Sequence, residues 1–137
     1  MAKILLIVED DNNQRLLLEE ELAGEGYSVL SAGSGQDALA AVSKSMPDLA
    51  ILDIAMPEMD GLELLGRLLS INHRLPIVIH TAYASYKDSF MSWAADAYVV
   101  KRGDLKELKD TIRGVLLKPR GAPAPSSVGA AKAEALA

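Results

Sequence analysis

Five short apolar runs recur along the chain, separated by longer segments of mixed polarity. Each run holds four to six residues, and most of its apolar residues are consecutive rather than alternating with polar ones. Consecutive apolar residues in short runs are typical of strands buried on both faces. We therefore predict strands at residues 3–8, 28–32, 49–52, 77–80 and 97–100.

The mixed segments between these runs have the period of amphipathic helices. The predicted helices cover residues 13–23, 36–43, 62–71, roughly 85–94, and 105–117. Five strands that alternate with five helices predict an α/β fold, in which helices cover both faces of a parallel sheet. Because crossovers between parallel strands are right-handed, only a few doubly wound arrangements fit.

Length and composition narrow the class of protein. The 137 residues suffice for one domain, and the last nineteen hold three of the six prolines and many alanines. We expect a folded domain over residues 1–118 and a flexible tail or linker over residues 119–137. With 14 basic and 19 acidic residues the net charge is −5, which does not favour direct binding to nucleic acid or anionic membranes.

Two features bear on the compartment. The chain has no cysteine, which excludes disulfides, thiol nucleophiles and thiolate metal sites. The first apolar run, residues 4–8, is followed by three acids and is too short for a signal peptide core or a membrane span. We expect a soluble cytoplasmic protein.

Polar side chains follow four of the five predicted strands. In a doubly wound sheet the carboxyl ends of the strands meet at one edge, where ligands bind. The residues at these ends are Glu9, Asp10, Asp11, Asp53, Thr81 and Lys101. Each alone has an ordinary explanation as a helix cap, a turn residue or a solvated charge.

Together these residues point to a cation site. Two carboxylates 4 Å apart repel by about 4 kcal/mol at an effective dielectric near 20, so a cluster of acids requires a positive partner. A few carboxylates with room for water suit Mg²⁺. Lys101 and Thr81 would then hold oxygens of a phosphoryl group.

The segments KILLIVEDD (residues 3–11) and PDLAILDIAMPEMDG (residues 47–61), with the Thr81-Ala82 pair and Lys101, resemble the receiver domain of two-component response regulators. The resemblance covers about residues 2–118. It implies a flavodoxin-like five-stranded parallel sheet of order 2-1-3-4-5. It also implies a signalling domain that catalyses only its own phosphorylation and dephosphorylation.

The resemblance assigns roles to individual residues. Asp53 would accept the phosphoryl group from a sensor histidine kinase or a phosphotransfer protein. Mg²⁺ would be held by Asp10, Asp53 and the backbone carbonyl of Ala55, with Glu9 acting through water. Thr81 and Lys101 would contact the phosphoryl group, and Tyr98 would be the aromatic switch residue. The switched face would bind a downstream protein, with homodimerisation on phosphorylation as an open alternative.

Three departures from the family pattern stand out. Arg102 follows Lys101 where the family usually has proline, and since a cis bond without proline costs about 2.5 to 4 kcal/mol, we expect a trans bond or an altered loop. The segment from Thr81 to Lys101 is about two residues shorter than is usual in the family. Ala55 and Tyr83 occupy the positions that tune dephosphorylation, and because neither can orient water, we predict a long-lived phosphoryl group.

Other functions stay open on the sequence alone. Gly33, Gly35 and Ala38 fit a GxGxxA pattern, which is typical of dinucleotide binding when it follows the first strand. Here the pattern follows the second predicted strand, which should lie at the sheet edge. A phosphatase with an aspartyl nucleophile would usually have a second aspartate at position 55. A receiver-like binding module that works without phosphorylation is the third alternative.

Overall fold

The computed structural model describes residues 2–56, 59, 61–82 and 94–118. Its elements, in chain order, are β1 (Ile4–Val8), α1 (Asn12–Gly24), β2 (Ser28–Ala32), α2 (Gly35–Lys44), β3 (Leu49–Leu52), α3 (Gly61–Ile71), β4 (Ile77–Thr81), β5 (Ala97–Val100) and α4 (Lys106–Leu117). All five predicted strands are present, each within one residue of its expected ends. Four predicted helices are present to similar accuracy, and residues 85–93 of the remaining one lie outside the described residues.

The five strands form one parallel sheet in the order β2-β1-β3-β4-β5, which confirms the predicted α/β topology. The chain moves outward from β1 to β2 and then crosses back to β3 on the other side of β1. The strand order therefore reverses between β1 and β3, so their carboxyl ends are neighbours. This is the position where sheets of this type bind ligands.

Two apolar layers cover the sheet, one on each face. On one face, Leu6, Leu52 and Ile79 belong to a buried cluster with Leu64 and Leu68 of α3. Successive strand residues point to opposite faces, so the intervening residues fill the second layer.

In that second layer, Leu5, Ile51 and Val78 belong to a cluster with Leu22 of α1 and Ile112 of α4. Burial of such side chains stabilises the fold by roughly 1.5 to 3 kcal/mol each. Because β1, β3 and β4 are packed on both faces, the backbone that leads to the residues at their carboxyl ends is held in place.

The predicted tail at residues 119–137 lies beyond the described residues, so the domain boundary at residue 118 stays a prediction. Among the described residues, the helices are all too short or too polar to cross a membrane. The Lys101–Arg102 peptide bond is trans.

Candidate functional site

Strand pairing places Glu9 and Asp53 side by side at the reversal of strand order. The backbone N–H of Asp53 donates to the carbonyl of Val8 over 3.2 Å, and that of Glu9 donates to the carbonyl of Ala32 over 3.0 Å. The sheet hydrogen bonding thus continues one residue past the ends of β1 and β3. The backbone that carries both side chains is therefore fixed by the sheet.

Three acidic side chains converge at this point. Carboxylate oxygens of Glu9, Asp10 and Asp53 all lie within 4.8 Å of one another. Glu9 and Asp53 are buried, with 2% and 6% of their surface exposed, whereas Asp10 is exposed. The cluster therefore reaches the surface through Asp10.

Lys101 connects the two buried acids. Its Nζ lies 2.7 Å from Oε1 of Glu9 and 2.7 Å from Oδ2 of Asp53. The backbone N–H of Lys101 donates to the carbonyl of Thr81 over 2.7 Å, which extends the β4–β5 pairing and fixes the base of the side chain. Burial alone would lower the pKa of Lys101, but its hydrogen bonds to Asp53 and Glu9 outweigh that effect and raise it.

For Glu9, the effect of burial on the pKa outweighs the effect of its hydrogen bonds. Burial raises the pKa of its carboxyl group, although the hydrogen bonds from Lys101 and from the Asp11 backbone N–H act to lower it. Among the described residues, one ammonium contacts this group of three carboxylates, so the cluster keeps an excess of negative charge. The donor set consists of hard oxygens, which is the chemistry that Mg²⁺ prefers. The residues present therefore fit this ion.

The loop after β3 holds the second oxygen of Asp53. Oδ1 accepts a hydrogen bond from the Ala55 backbone N–H over 3.1 Å. The loop then closes on itself, because the Gly61 N–H at the start of α3 donates to the carbonyl of Ile54 over 2.9 Å. A Cβ at Gly61 would collide with the backbone carbonyl of Asp53, so only glycine permits this approach. Ala55, whose carbonyl the resemblance assigns to Mg²⁺, is exposed next to the cluster.

Thr81 and Tyr98, through which the switch is predicted to pass, lie on the face of the sheet that α2 and α3 cover. Thr81 ends β4 and is fully buried. Tyr98 is half-buried in β5, in register with Ile79, and packs against the cluster formed with α2 and α3. By the alternation of strand side chains, Thr81 and Tyr98 point to that same face, whereas Glu9, Asp53 and Lys101 belong to the face covered by α1 and α4. Tyr83 lies outside the described residues.

Asp11 caps a helix, which is one of the ordinary roles of an acid that follows a strand. Its Oδ1 accepts a hydrogen bond from the Gln14 N–H over 2.9 Å and caps the start of α1. It is not part of the group whose oxygens lie within 4.8 Å of one another. The capping explanation is therefore sufficient for Asp11.

Two residues near the cluster received no role from the sequence. His80 is 5% exposed and lies in register with Val99, so it shares a face with Asp53 and Lys101. Burial, with a smaller effect of the Lys101 charge, lowers the pKa of His80 to about 4. Arg15 of α1 donates from Nη1 to the carbonyl of Glu9 over 2.8 Å. Helical spacing gives no signal for this contact, because the guanidinium reaches back six residues to a backbone carbonyl that precedes α1.

The glycine pattern at residues 33–38 lies after β2, and β2 is the edge strand, as expected. A dinucleotide fingerprint belongs to a turn beside the reversal of strand order, which here follows β1 or β3. Oγ of Ser34 accepts a hydrogen bond from the Asp37 N–H over 3.1 Å and caps α2. The loop therefore has a structural explanation, and the dinucleotide alternative is not favoured.

A doubly wound five-stranded sheet with an acidic cluster and a lysine at its strand ends defines the class of receiver-like signalling domains. The chain belongs to the response regulator receiver domain family, whose model matches residues 5–113. The resemblance found in the sequence is thereby confirmed, as is the fold that it implied.

Curated relatives agree with this assignment. The transcriptional regulatory protein ZraR of Salmonella typhimurium is 37% identical over 130 residues, which are 92% of this chain and 30% of that protein. The chain thus spans less than a third of this relative's length. The sporulation initiation phosphotransferase F of Bacillus subtilis is 35% identical over 118 residues, which are 85% of this chain and 95% of that protein.

Solved structures give the same result. The response regulator TrrA of Thermotoga maritima, in complex with Mg²⁺ and BeF, has a TM-score of 0.80 and 42% identity. The comparison covers 82% of this chain and 98% of that one. The same regulator in complex with the histidine kinase ThkA has a TM-score of 0.78, with 85% and 99% of the two chains covered.

Proposed function

We propose that this domain accepts a phosphoryl group on Asp53 in a Mg²⁺-dependent reaction, and that the donor is a phosphohistidine of a sensor histidine kinase or a phosphotransfer protein. The observation that carries the proposal is the contact of Lys101 with both Asp53 and Glu9, beside the exposed Asp10. This arrangement combines a nucleophile, a fixed positive charge and an open set of oxygen ligands.

The reaction is a substitution at phosphorus. A carboxylate oxygen of Asp53 attacks the phosphorus atom, a P–O bond forms, and the P–N bond to the donor histidine breaks. The released histidine nitrogen takes a proton from solvent. Because carboxylates are weak nucleophiles, the rate depends on orientation and on the neutralisation of charge at the phosphoryl oxygens.

The described residues supply that orientation. Ala55 N–H and Lys101 Nζ hold the two oxygens of Asp53 from different directions, which fixes the plane of the carboxylate. Asp10, Asp53 and the Ala55 carbonyl are the proposed ligands of Mg²⁺, with Glu9 acting through water. When bound, the ion would supply positive charge that stabilises the phosphoryl oxygens.

The properties of the relatives support the proposal by analogy. TrrA binds Mg²⁺ and BeF in one structure and a histidine kinase in another. We propose the same class of partner for this chain, in the cytoplasm. Lys101 and Thr81 would contact the phosphoryl group, and the change would pass through Thr81 to Tyr98 and β5, where a downstream protein binds. Homodimerisation on phosphorylation stays a prediction.

Incubation with acetyl phosphate and Mg²⁺, followed by intact mass measurement, tests the proposal. We expect the wild-type chain to gain one phosphoryl group and Asp53→Asn to gain none. Asp37→Asn is the matched control, because it makes the same chemical change at an exposed aspartate in the first turn of α2. Equal phosphorylation of Asp53→Asn and Asp37→Asn would show that Asp53 is not the acceptor.

A further inference from the structure

The loop between β2 and α2 has glycines at positions 33 and 35, on either side of the capping Ser34. Among the described glycines only Gly26 has a positive φ, so the backbone conformation does not require glycine at either position. Another cause has to explain the lack of side chains there. The surroundings of each glycine supply it.

Arg15 occupies the space beside Gly33. A Cβ built on Gly33 would lie 2.9 Å from Nη1 of Arg15. The same nitrogen donates to the backbone carbonyl of Glu9 over 2.8 Å, and Nη2 of Arg15 contacts Oδ1 of Asn12 over 2.5 Å. The guanidinium thus crosses the bare backbone of Gly33 to hold the segment that follows β1.

Met59 occupies the space beside Gly35. A Cβ on Gly35 would lie 2.5 Å from Sδ of Met59 and 3.1 Å from its Cβ and Cγ. Met59 is 5% exposed and belongs to the loop that follows Asp53. Rotation of the Met59 side chain can move Sδ and Cγ away but not Cβ, so the backbone at Met59 would have to shift by a few tenths of an ångström.

We propose that the segment Gly33–Gly35 is a positioning element for the phosphorylation site. Its bare backbone leaves the space in which the Arg15 guanidinium holds the segment after β1. It also leaves the space in which Met59, from the loop after β3, packs. These two segments carry the proposed ligands Asp10, Asp53 and Ala55, so their spacing depends on a loop that contributes no ligand. The inference rests on the proposed function, because it concerns the geometry of the same Mg²⁺ site.

The expected sensitivity is high because Mg²⁺ demands near-ideal octahedral geometry. Residues that support metal ligands without touching the metal typically change its affinity 10- to 100-fold when they are replaced. We expect Gly35→Ala to weaken Mg²⁺ binding about tenfold. Gly33→Ala should weaken it less, because the guanidinium at the far end of the flexible Arg15 side chain can shift more easily than the Met59 backbone. Gly33→Ala acts by displacing the guanidinium from Glu9, and Gly35→Ala acts by shifting the loop of Met59.

Isothermal titration of the full chain with Mg²⁺, well below the melting temperature of each variant, measures this effect. Gly114→Ala is the matched control, since a Cβ at this helical position meets nothing within 4 Å. We expect wild-type affinity for the control. As a readout without metal, NMR spectra of the apo chain should show shifted Glu9 and Ala55 amide signals in the two loop variants but not in the control.

Double variants test the assigned contacts. Gly33→Ala should add little to the effect of Arg15→Ala, because both variants lose the contact of the guanidinium with Glu9. Gly35→Ala should add less to Met59→Ala than it does to the wild type, because Met59→Ala removes Sδ and Cγ and leaves only the Cβ contact at 3.1 Å. If Gly35→Ala does not fold, Met59→Ala tests the same contact from the other side and should also weaken Mg²⁺ binding.

Mg²⁺ binding by the wild-type chain distinguishes a failure of the positioning role from a failure of the proposed function. If the wild-type chain binds Mg²⁺ and both loop variants bind within twofold of it, the positioning role is wrong while the proposed function stands. A lowered melting temperature with unchanged Mg²⁺ affinity would likewise reduce the loop to ordinary packing. Absence of Mg²⁺ binding by the wild-type chain would overturn the proposed function and this inference together.

Discussion

Lys101 is the residue on which the charge balance of the site depends. Its ammonium lies between Glu9 and Asp53, whose side chains are 3% and 8% exposed. Buried carboxylates are costly when they are left without a partner. The position of Lys101 therefore affects both the stability of the fold and the proposed reaction.

Removal of this ammonium gives the first prediction. Lys101→Met should lower the free energy of unfolding by about 3 kcal/mol, because it leaves two buried acids without a positive partner. Mg²⁺ should restore part of the loss, since it binds the same acids. Lys106→Met is the control: Lys106 is 82% exposed and its pair with Asp110 lies on the surface, so we expect little change in the free energy of unfolding. Urea unfolding with and without Mg²⁺ measures both variants.

His80 is a second residue whose burial has consequences. Among the described residues, no group forms a hydrogen bond with its buried Nδ1. An unpaired buried polar atom costs about 1 to 3 kcal/mol. The low pKa of His80 means that the folded state takes up a proton on this ring less readily than the unfolded state does.

This difference predicts a dependence on pH. Because the pKa is about 4 in the folded chain and about 6.5 when unfolded, the contribution of His80 is fully present above pH 6.5 and is lost as pH falls towards 4. His80→Met should therefore be more stable than wild type, by a margin that grows by about 2 kcal/mol from pH 7 to pH 5. Urea unfolding at both values measures the margin, with exposed His73→Met as the control. A margin that stays constant with pH would contradict the prediction.

The residues at the dephosphorylation positions give a kinetic prediction. Ala55 is exposed beside Asp53 and has no group that could orient a water molecule, and the Tyr83 ring likewise offers no carboxylate or amide. We expect phosphorylated Asp53 to persist for minutes or longer after the phosphodonor is removed. Loss of the phosphoryl mass followed over time measures the lifetime. A half-life of seconds would contradict this account of the two positions.

At the scale of the elements, the start of α1 separates two neighbouring acids by function. Asp10 contributes to the cluster with Glu9 and Asp53, whereas Asp11 caps the helix through the Gln14 N–H. Their position after β1 does not separate them, because both are aspartates at one strand end. The resemblance alone assigned Asp10, and not Asp11, to Mg²⁺. The position of the first helical turn decides which carboxylate turns towards the backbone.

Substitution of the two acids should therefore have opposite effects. Asp11→Ala should lower the free energy of unfolding by about 1 kcal/mol through loss of the cap, while Mg²⁺ affinity stays near that of the wild type. Asp10→Ala should sharply weaken Mg²⁺ binding and leave stability unchanged or higher, because it relieves repulsion in the cluster. Urea unfolding and calorimetric titration of both variants provide the comparison. Strong Mg²⁺ binding by Asp10→Ala would remove this residue from the proposed ligands.

At the scale of the whole molecule, the sheet was predictable because its strands are buried on both faces. Residues 49–52 and 77–79 are apolar runs for that reason, and the observed burial of β3 and β4 agrees. The convergence of Glu9, Asp53 and Lys101 followed from the topology, since strand ends meet at one edge. Helix ends differed by a single residue, as expected where caps rather than periodicity set the boundary.

Other features could not be predicted in this way. The contact of Lys101 with Glu9 joins residues 92 positions apart and depends on side-chain conformations across three strands. The space that Gly35 leaves for Met59 depends on how two loops pack, and hydrophobic periodicity carries no information about loop packing. The expected ligand and switch roles of individual residues remain predictions.

The most direct test of the central claim is a crystal structure of the chain grown with Mg²⁺ and beryllofluoride, a mimic of the phosphoryl group. We expect the beryllium to bond to a carboxylate oxygen of Asp53, the fluorides to contact Lys101 and Thr81, and Mg²⁺ to bind Asp10, Asp53 and the Ala55 carbonyl. A structure with beryllofluoride on another residue, or with Mg²⁺ held away from Asp10 and Asp53, would contradict the account.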